Sequence, residues 1–330
     1  MLGPPPPPPS GFIVQLDRPR YSMIESAREL LSVAAVSSTA QGRRPASVEK
    51  ALHEHSSSAD NYVLGHTPWA IQRLLRLGQI YALFTRRMFA EAGISTGMQV
   101  LDIGCGPGEV SLIAADMVGE TGSVLGVDAS ADMLEVAQTR AHAAGLTQVS
   151  FLAADLRDLT PDRQFDALVG RFILMHLPEP EAILRQLVQW VRPGGIVAFQ
   201  EYNLSSHEDA FFPPSTLWEQ SWRWSTLAFQ QAGGNLHAGM QLPSMFRAAG
   251  LPAPRMSYEA SVGADPDWPG FEMRAADVRT FLPLILRFGL ATEEEIGIDT
   301  LAERLREETV SHGGAARLPI LVSAWARTSS

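Results

Sequence analysis

The sequence predicts an α/β fold with a parallel sheet covered by helices on both faces. Two observations carry this. From about residue 96, short apolar runs alternate with amphipathic stretches. The first apolar run, Gln99-Val100-Leu101-Asp102-Ile103, leads straight into a glycine-rich turn, Gly104-Cys105-Gly106-Pro107-Gly108. Sheets of this kind are buried on both faces and bind ligands at the carboxyl ends of their strands.

The elements follow in order. Residues 1–60 are rich in Ser, Pro and Ala, include the six-proline run Pro4–Pro9, and read as a flexible N-terminal arm with one helix near 23–37. The apolar stretch 28–41 follows prolines rather than a basic start and is not expected to be a signal peptide. Residues 61–95 read as a helical cap. Leu77, Ile80, Phe84 and Met88 fall at helical spacing, as do Ile71, Leu74 and Leu75, giving one or two helices over 67–90. The core, 96–202, begins with the strand 99–103 and a helix from Gly108 to about Val118. A second strand, 124–127, precedes a helix with Ser130 as N-cap, Asp132 in its first turn and Gly145 at its end. Strands at 149–153, 165–169 and 196–200 follow, with a helix over 179–190 before the last of them.

Beyond Gln200 the alternation breaks. Residues 203–310 read as a helical insertion that includes a sixth strand near 254–260. Trp218, Trp222 and Phe229 share one helical face, a helix runs over 238–249, and 265–310 is irregular and helical. Residues 311–330 supply a last strand near 318–326. Aromatic stripes of this kind are more often core than ligand wall, and most of these rings read as core.

Composition narrows function. The chain has 330 residues, 45% hydrophobic and 19% charged, with a net charge of −10. Nucleic-acid binders draw most of their affinity from basic footprints. The only dense basic spots here are Arg43-Arg44 and Arg86-Arg87, so no nucleic-acid partner is expected. No apolar run reaches the about 20 residues that span a bilayer. A single cysteine, Cys105, excludes an internal disulfide and a cysteine-rich metal site, so no metal is expected and a cytoplasmic location is.

Three positions carry the ligand chemistry. Gly104 and Gly106 tolerate unusual dihedrals and let a ligand approach the backbone, and the helix after Gly108 begins with free N–H groups. A dinucleotide loop has a third glycine where this chain has Glu109. Asp128 ends the second strand, where a carboxylate can accept hydrogen bonds from both ribose hydroxyls; nicotinamide and adenosyl cofactors both use this arrangement. Ala154-Asp155 ends the third strand, where Asp155 can accept from an adenine amino group and Leu156 and Met133 can sandwich the ring.

These segments, together with Gly126-Val127-Asp128-Ala129-Ser130, Phe165-Asp166-Ala167, Leu174-Met175-His176-Leu177 and Arg192-Pro193-Gly194-Gly195, resemble class I S-adenosylmethionine (SAM)-dependent methyltransferases. Within that class they are most similar to the small-molecule branch of quinone-ring and natural-product enzymes. The resemblance covers about 96–202. It implies a Rossmann-like, seven-stranded, mostly parallel sheet with the last strand antiparallel, an N-terminal helical cap and an inserted helical lid after strand five. It implies SAM as cofactor and in-line methyl transfer to a small, hydrophobic or ring-containing acceptor, by a monomer or homodimer.

The resemblance brings Asp102, Gly104, Cys105, Gly106 and Gly108 to the methionine part of the cofactor, with Arg171 beside it through its backbone. Asp128 and Ala129 fall at the ribose, and Met133, Ala154, Asp155 and Leu156 at the adenine. Tyr62, in Tyr62-Val63-Leu64-Gly65, and Gln79 become candidates for the cofactor carboxylate.

A base is needed only where the acceptor must lose a proton. The candidates are His176, Glu201 and Tyr202, with His207 a fourth; His has the matching ordinary pKa. Each has a plainer reading, His176 as a structural hydrogen-bonder and Glu201 and Tyr202 as anchors of the insertion. Two other functions remain open at this level: a SAM-binding relative that does not methylate, and an NAD(P)-dependent oxidoreductase. Glu109 and Asp155 weigh against the latter. Gly170-Arg171-Phe172-Ile173 lacks the Asn/Asp-Pro-Pro-aromatic sequence of amino-group DNA methyltransferases, and Cys105 sits in the cofactor loop rather than at a nucleophile position.

Overall fold

A computed structural model describes residues 68–329. The arm expected over 1–60, its helix near 23–37 and Tyr62 lie outside the described residues.

The first described element is one continuous helix, α1 (Pro68–Ala92). Its buried face is centred on Leu77, Tyr81, Thr85, Met88 and Phe89, while Ile80 and Phe84 flank it half-buried. Apolar spacing alone misplaces this face by part of a turn. Two polar residues on it are buried because they are satisfied: Tyr81 donates to the Pro319 carbonyl (3.3 Å), and Thr85 donates to Gln200 Oε1 (2.6 Å).

The core alternates as expected: β1 (Gln99–Ile103), α2 (Glu109–Val118), β2 (Ser123–Asp128), α3 (Ala131–Ala143), β3 (Val149–Ala153) and β4 (Phe165–Arg171), then a 3₁₀ turn (Leu174–His176), α4 (Pro180–Val188) and β5 (Val191–Asn203). Ser130 caps α3, its hydroxyl accepting from the Met133 N–H at 3.4 Å. β5 starts earlier than its apolar run because Arg192-Pro193-Gly194-Gly195 is taken into the strand as an irregularity: Phe165 pairs with Val191, and Ala167 already pairs with Ile196.

The insertion contains β6 (Phe211–Phe212), α5 (Thr216–Gln231), α6 (Ala238–Ala248), β7 (Arg255–Glu259), β8 (Val262–Gly263), α7 (Gly270–Arg287), α8 (Glu293–Ile296) and α9 (Leu301–Ser311). β9 (Ala315–Arg317) and β10 (Ile320–Arg327) close the chain.

Seven strands form one Rossmann-like sheet in the order β3-β2-β1-β4-β5-β10-β7. The first five are parallel, and β10 runs antiparallel between β5 and β7. The chain leaves β1 towards β2 on one side and returns through β4 on the other, so strand order reverses at the end of β1. A second sheet, β6-β9-β8, is antiparallel and has no counterpart in the sequence reading. Its strands are two or three residues long, too short to show alternation. Trp218, Trp222, Trp224 and Phe229 are buried, and the Trp218 indole donates to Thr309 Oγ1 at 2.9 Å. Among the described residues no helix is long and apolar enough to cross a membrane.

Leu168 sits at the centre of β4, fully buried between β1 and β5. Leu168→Ala is expected to lower unfolding free energy by about 2–5 kcal/mol, read from the denaturant midpoint.

Candidate functional site

Strand order reverses at the end of β1, the place where sheets of this kind bind ligands, and the glycine loop lies there. Gly104, Gly106 and Gly108 all have positive φ, at 63°, 50° and 83°. Only glycine adopts these readily. A Cβ on Gly104 would lie 2.6 Å from Ile173 Cδ1, whereas one on Gly106 would meet nothing within 4 Å. Gly104 thus permits packing against the turn after β4, and Gly106 presents bare backbone to open space.

Asp128 ties this loop to the next helix. Its Oδ2 accepts the Gly106 N–H at 2.8 Å and its Oδ1 accepts the Ser130 N–H at 2.9 Å. Arg140 secures the other side, donating to the Pro107 carbonyl (2.6 Å) and pairing with Glu109 at 2.5 Å. Asp102 is buried beneath the loop. One oxygen accepts from Ser111 Oγ at 2.6 Å and the other, Oδ1, has no partner. Burial pushes its pKa up to about 7 despite the Ser111 bond. Burial likewise drives the Cys105 thiol well up, so it remains a thiol.

At the end of β3, the Ala154 N–H donates to the Asp128 carbonyl at 3.0 Å. Asp155 pairs with Arg157 through Nε (3.0 Å) and Nη2 (2.5 Å), at the surface. Met133 and Leu156 are buried, and Ala129 is exposed. Asp102, the three loop glycines, Cys105, Asp128, Ala129, Met133, Ala154, Asp155 and Leu156 therefore lie at or just beyond the carboxyl ends of the neighbouring strands β1, β2 and β3. Gln79 is exposed on α1, next to Gly78, whose Cβ position lies 2.6 Å from Glu109 Cγ.

The next two strands supply the other wall. Arg171 ends β4 and turns its side chain to α1, where Nη1 donates to Thr85 Oγ1 at 2.8 Å. Thr85 passes the contact to Gln200, whose Nε2 reaches Ser323 Oγ at 2.8 Å. Burial lowers the Arg171 pKa. Phe172 follows with φ of 57°, a left-handed conformation rare for a bulky residue. Glu201, fully buried on β5, holds the turn there: Oε1 accepts the N–H groups of Ile173 (3.0 Å) and Leu174 (2.8 Å), and Oε2 that of Met175 (3.3 Å). Burial pushes its pKa up to about 8 although the three N–H groups pull the other way.

Tyr202 stacks on Phe172 at 4.1 Å between ring centres and meets Tyr81 edge-on at 5.7 Å. Burial drives both tyrosines above their ordinary range, so both are neutral phenols. His176 packs edge-on against Phe229 at 5.5 Å, and burial, then Arg73, push its pKa down to about 4. His207 stacks on Trp222. The sequence reading missed Tyr81, Thr85, Phe172 and Ile173. No local pattern marks them, because their importance comes from contacts with distant strands.

The observations suit an adenosyl ligand: open backbone at Gly106, a carboxylate at the end of β2, and an unsatisfied buried Asp102 oxygen beneath. Comparison with known proteins bears on the same stretch. Residues 94–250 match the family described as "Methyltransferase domain". Residues 94–250 carry a class I SAM-dependent methyltransferase domain.

SAM is the cofactor of this domain. Trans-aconitate 2-methyltransferase of Azoarcus sp. (strain BH72) is 30% identical over 142 residues, 42% of this chain and 54% of that one. Aklanonic acid methyltransferase DauC of Streptomyces sp. (strain C5) is 33% identical over 141 residues, 42% of this chain and 64% of that one. The chain thus spans about half to just under two thirds of these curated relatives. Among solved structures, Haemonchus contortus phosphoethanolamine N-methyltransferase 2, in complex with phosphomonomethylethanolamine and S-adenosylhomocysteine, aligns with a TM-score of 0.50 and 18% identity, covering 81% of this chain and 59% of that one, and shares the fold of the methyltransferase domain.

Glu201 holds its proton more tightly folded, with a pKa of about 8, than unfolded, with one of 4.5. This contribution to stability is complete below the unfolded value and is lost as pH rises through the folded one. Melting temperature is therefore expected to fall between about pH 4.5 and pH 8 more steeply in wild type than in Glu201→Gln.

Proposed function

We propose that the protein transfers the methyl group of SAM to a small, hydrophobic or ring-containing metabolite. The observation carrying this reading is the aromatic wall of Tyr81, Phe172 and Tyr202 beside the glycine loop, with Ile173 packed directly on Gly104. Residues 96–202 hold the cofactor, α1 caps it, and the insertion 203–310 covers the acceptor.

When bound, SAM supplies a methyl group on a positive sulfur. Asp128 accepts from the ribose and Asp155 from the adenine amino group, for which Arg157 need only release an exposed ion pair, a weak interaction. The unpartnered Oδ1 of Asp102 accepts from the cofactor's ammonium. Chemistry then rests on proximity, orientation and exclusion of water. His176, neutral because of its low pKa, is the group available to take a proton from an acceptor. Glu201 acts by positioning: it is fully buried and holds three successive backbone N–H groups of the turn after β4.

Incubation with methyl-labelled SAM and a panel of hydrophobic ring compounds tests the reading. Label on an acceptor is expected; SAM binding without transfer to any of them would make the protein a SAM-binding relative that does not methylate. Asp128→Ala is expected to weaken SAM binding by about 1–3 kcal/mol in isothermal titration, the scale of a lost charged hydrogen bond.

A further inference from the structure

Arg274, on α7, is 2% exposed. Its Nη2 donates to Ser225 Oγ on α5, and its guanidinium lies 4.9 Å from the ring centre of Trp222. Its Nε has no partner, and among the described residues no carboxylate comes within ion-pair distance. The nearby acid, Asp277, is taken by Arg73 at 3.0 Å. Two buried guanidiniums therefore share a single carboxylate. Removing a charge from water costs several kcal/mol unless a partner compensates.

The shortage of acceptors extends to the neighbours. Trp222 Nε1 and His207 Nδ1 are buried without partners, and His207 stacks on the Trp222 ring at 5.9 Å with an interplanar angle of 11°. Buried polar atoms are nearly always satisfied, so two orphan donors beside each other, Arg274 Nε–H and Trp222 Nε1–H, point to an acceptor from outside the chain. The group borders the methyl-transfer wall: Trp222 belongs to the same apolar cluster as Tyr81, with Phe172 and Tyr202 packed against it.

We infer that Arg274 and the Trp222 indole N–H receive the carboxylate of the methyl acceptor, which is a ring-bearing organic acid. This rests on the proposed methyl transfer. The guanidinium fork matches a carboxylate's two oxygens, and the surrounding rings suit an aromatic body. The negative charge lacking around Arg274 is then brought by the substrate.

Isothermal titration of protein saturated with S-adenosylhomocysteine tests this, using 2-naphthoate and its neutral analogue 2-naphthamide as probes. Wild type is expected to bind the acid at least about tenfold more tightly than the amide, the effect of one charged hydrogen bond. Arg274→Met should abolish the preference and Arg274→Lys, which keeps charge without the fork, should retain part of it. Trp222→Phe should weaken the acid alone, and decides the matter where the methionine variant does not fold. Equal binding of the two probes, no binding of the acid, or a preference that survives Arg274→Met overturns the inference. Failure of S-adenosylhomocysteine to bind would instead strike the proposed function.

Discussion

The buried carboxylate of Glu201 holds the one piece of backbone on which both halves of the site depend. After β4 the chain must turn away from the sheet within a few residues, which leaves three successive N–H groups without strand or helix partners. Glu201, on the adjacent strand, accepts all three. Fixing the turn in this way keeps Phe172 in its left-handed conformation, which costs about 1–3 kcal/mol in isolation and persists only where the surroundings over-determine it. Phe172 then meets Tyr202 and Tyr81, and Ile173 meets Gly104. A single side chain thus couples the cofactor loop to the aromatic wall.

A second coupling runs through α1. Arg171, Thr85, Gln200 and Ser323 form a buried hydrogen-bonded chain from β4 through α1 to β5 and β10. Each member is satisfied by the next, which is why four polar residues are tolerated among apolar strands, and such networks specify one register over its neighbours. Sliding α1 by one turn would strand Gln200 and Arg171 together. The helix is fixed by polar complementarity as much as by its apolar stripe.

This explains what could be read from the sequence and what could not. β1 and β3 fall at the residues their apolar runs indicate, and the Ser130 cap and Gly145 stop bound α3, because each signal is local. The glycine loop was legible for the same reason: three positive φ angles in five residues demand glycine. Candidate residues fall at one edge of the sheet since the alternation of strands and helices already orders the strand ends. The face of α1, the strain at Phe172, the small second sheet and the surroundings of Arg274 were hidden. Each depends on residues far away in sequence: Thr85 on Gln200, Phe211 on Ala316, Arg274 on Ser225. Glu201 is the instructive case. Its position at a strand end invited a catalytic reading, while its three N–H partners assign its oxygens to the backbone.

The same burial that builds the site sets its electrical character. Asp102 is raised to about 7, the two tyrosines stay neutral, and His176 is held near 4 as an uncharged imidazole. Burial is the leading cause in every case, so the wall is a medium that disfavours isolated charge. Methyl transfer from a sulfonium to an anionic or neutral nucleophile removes positive charge from the donor as the new bond forms. Where the nucleophile is anionic, separated charges are annihilated, and an apolar enclosure favours that change more than water does. A wall of neutral buried groups is therefore suited to this chemistry without a strong base. Two buried guanidiniums carry charge here: Arg171 is held by Thr85 beside Phe172, and Arg274 lies where it can fix an acceptor's acid group.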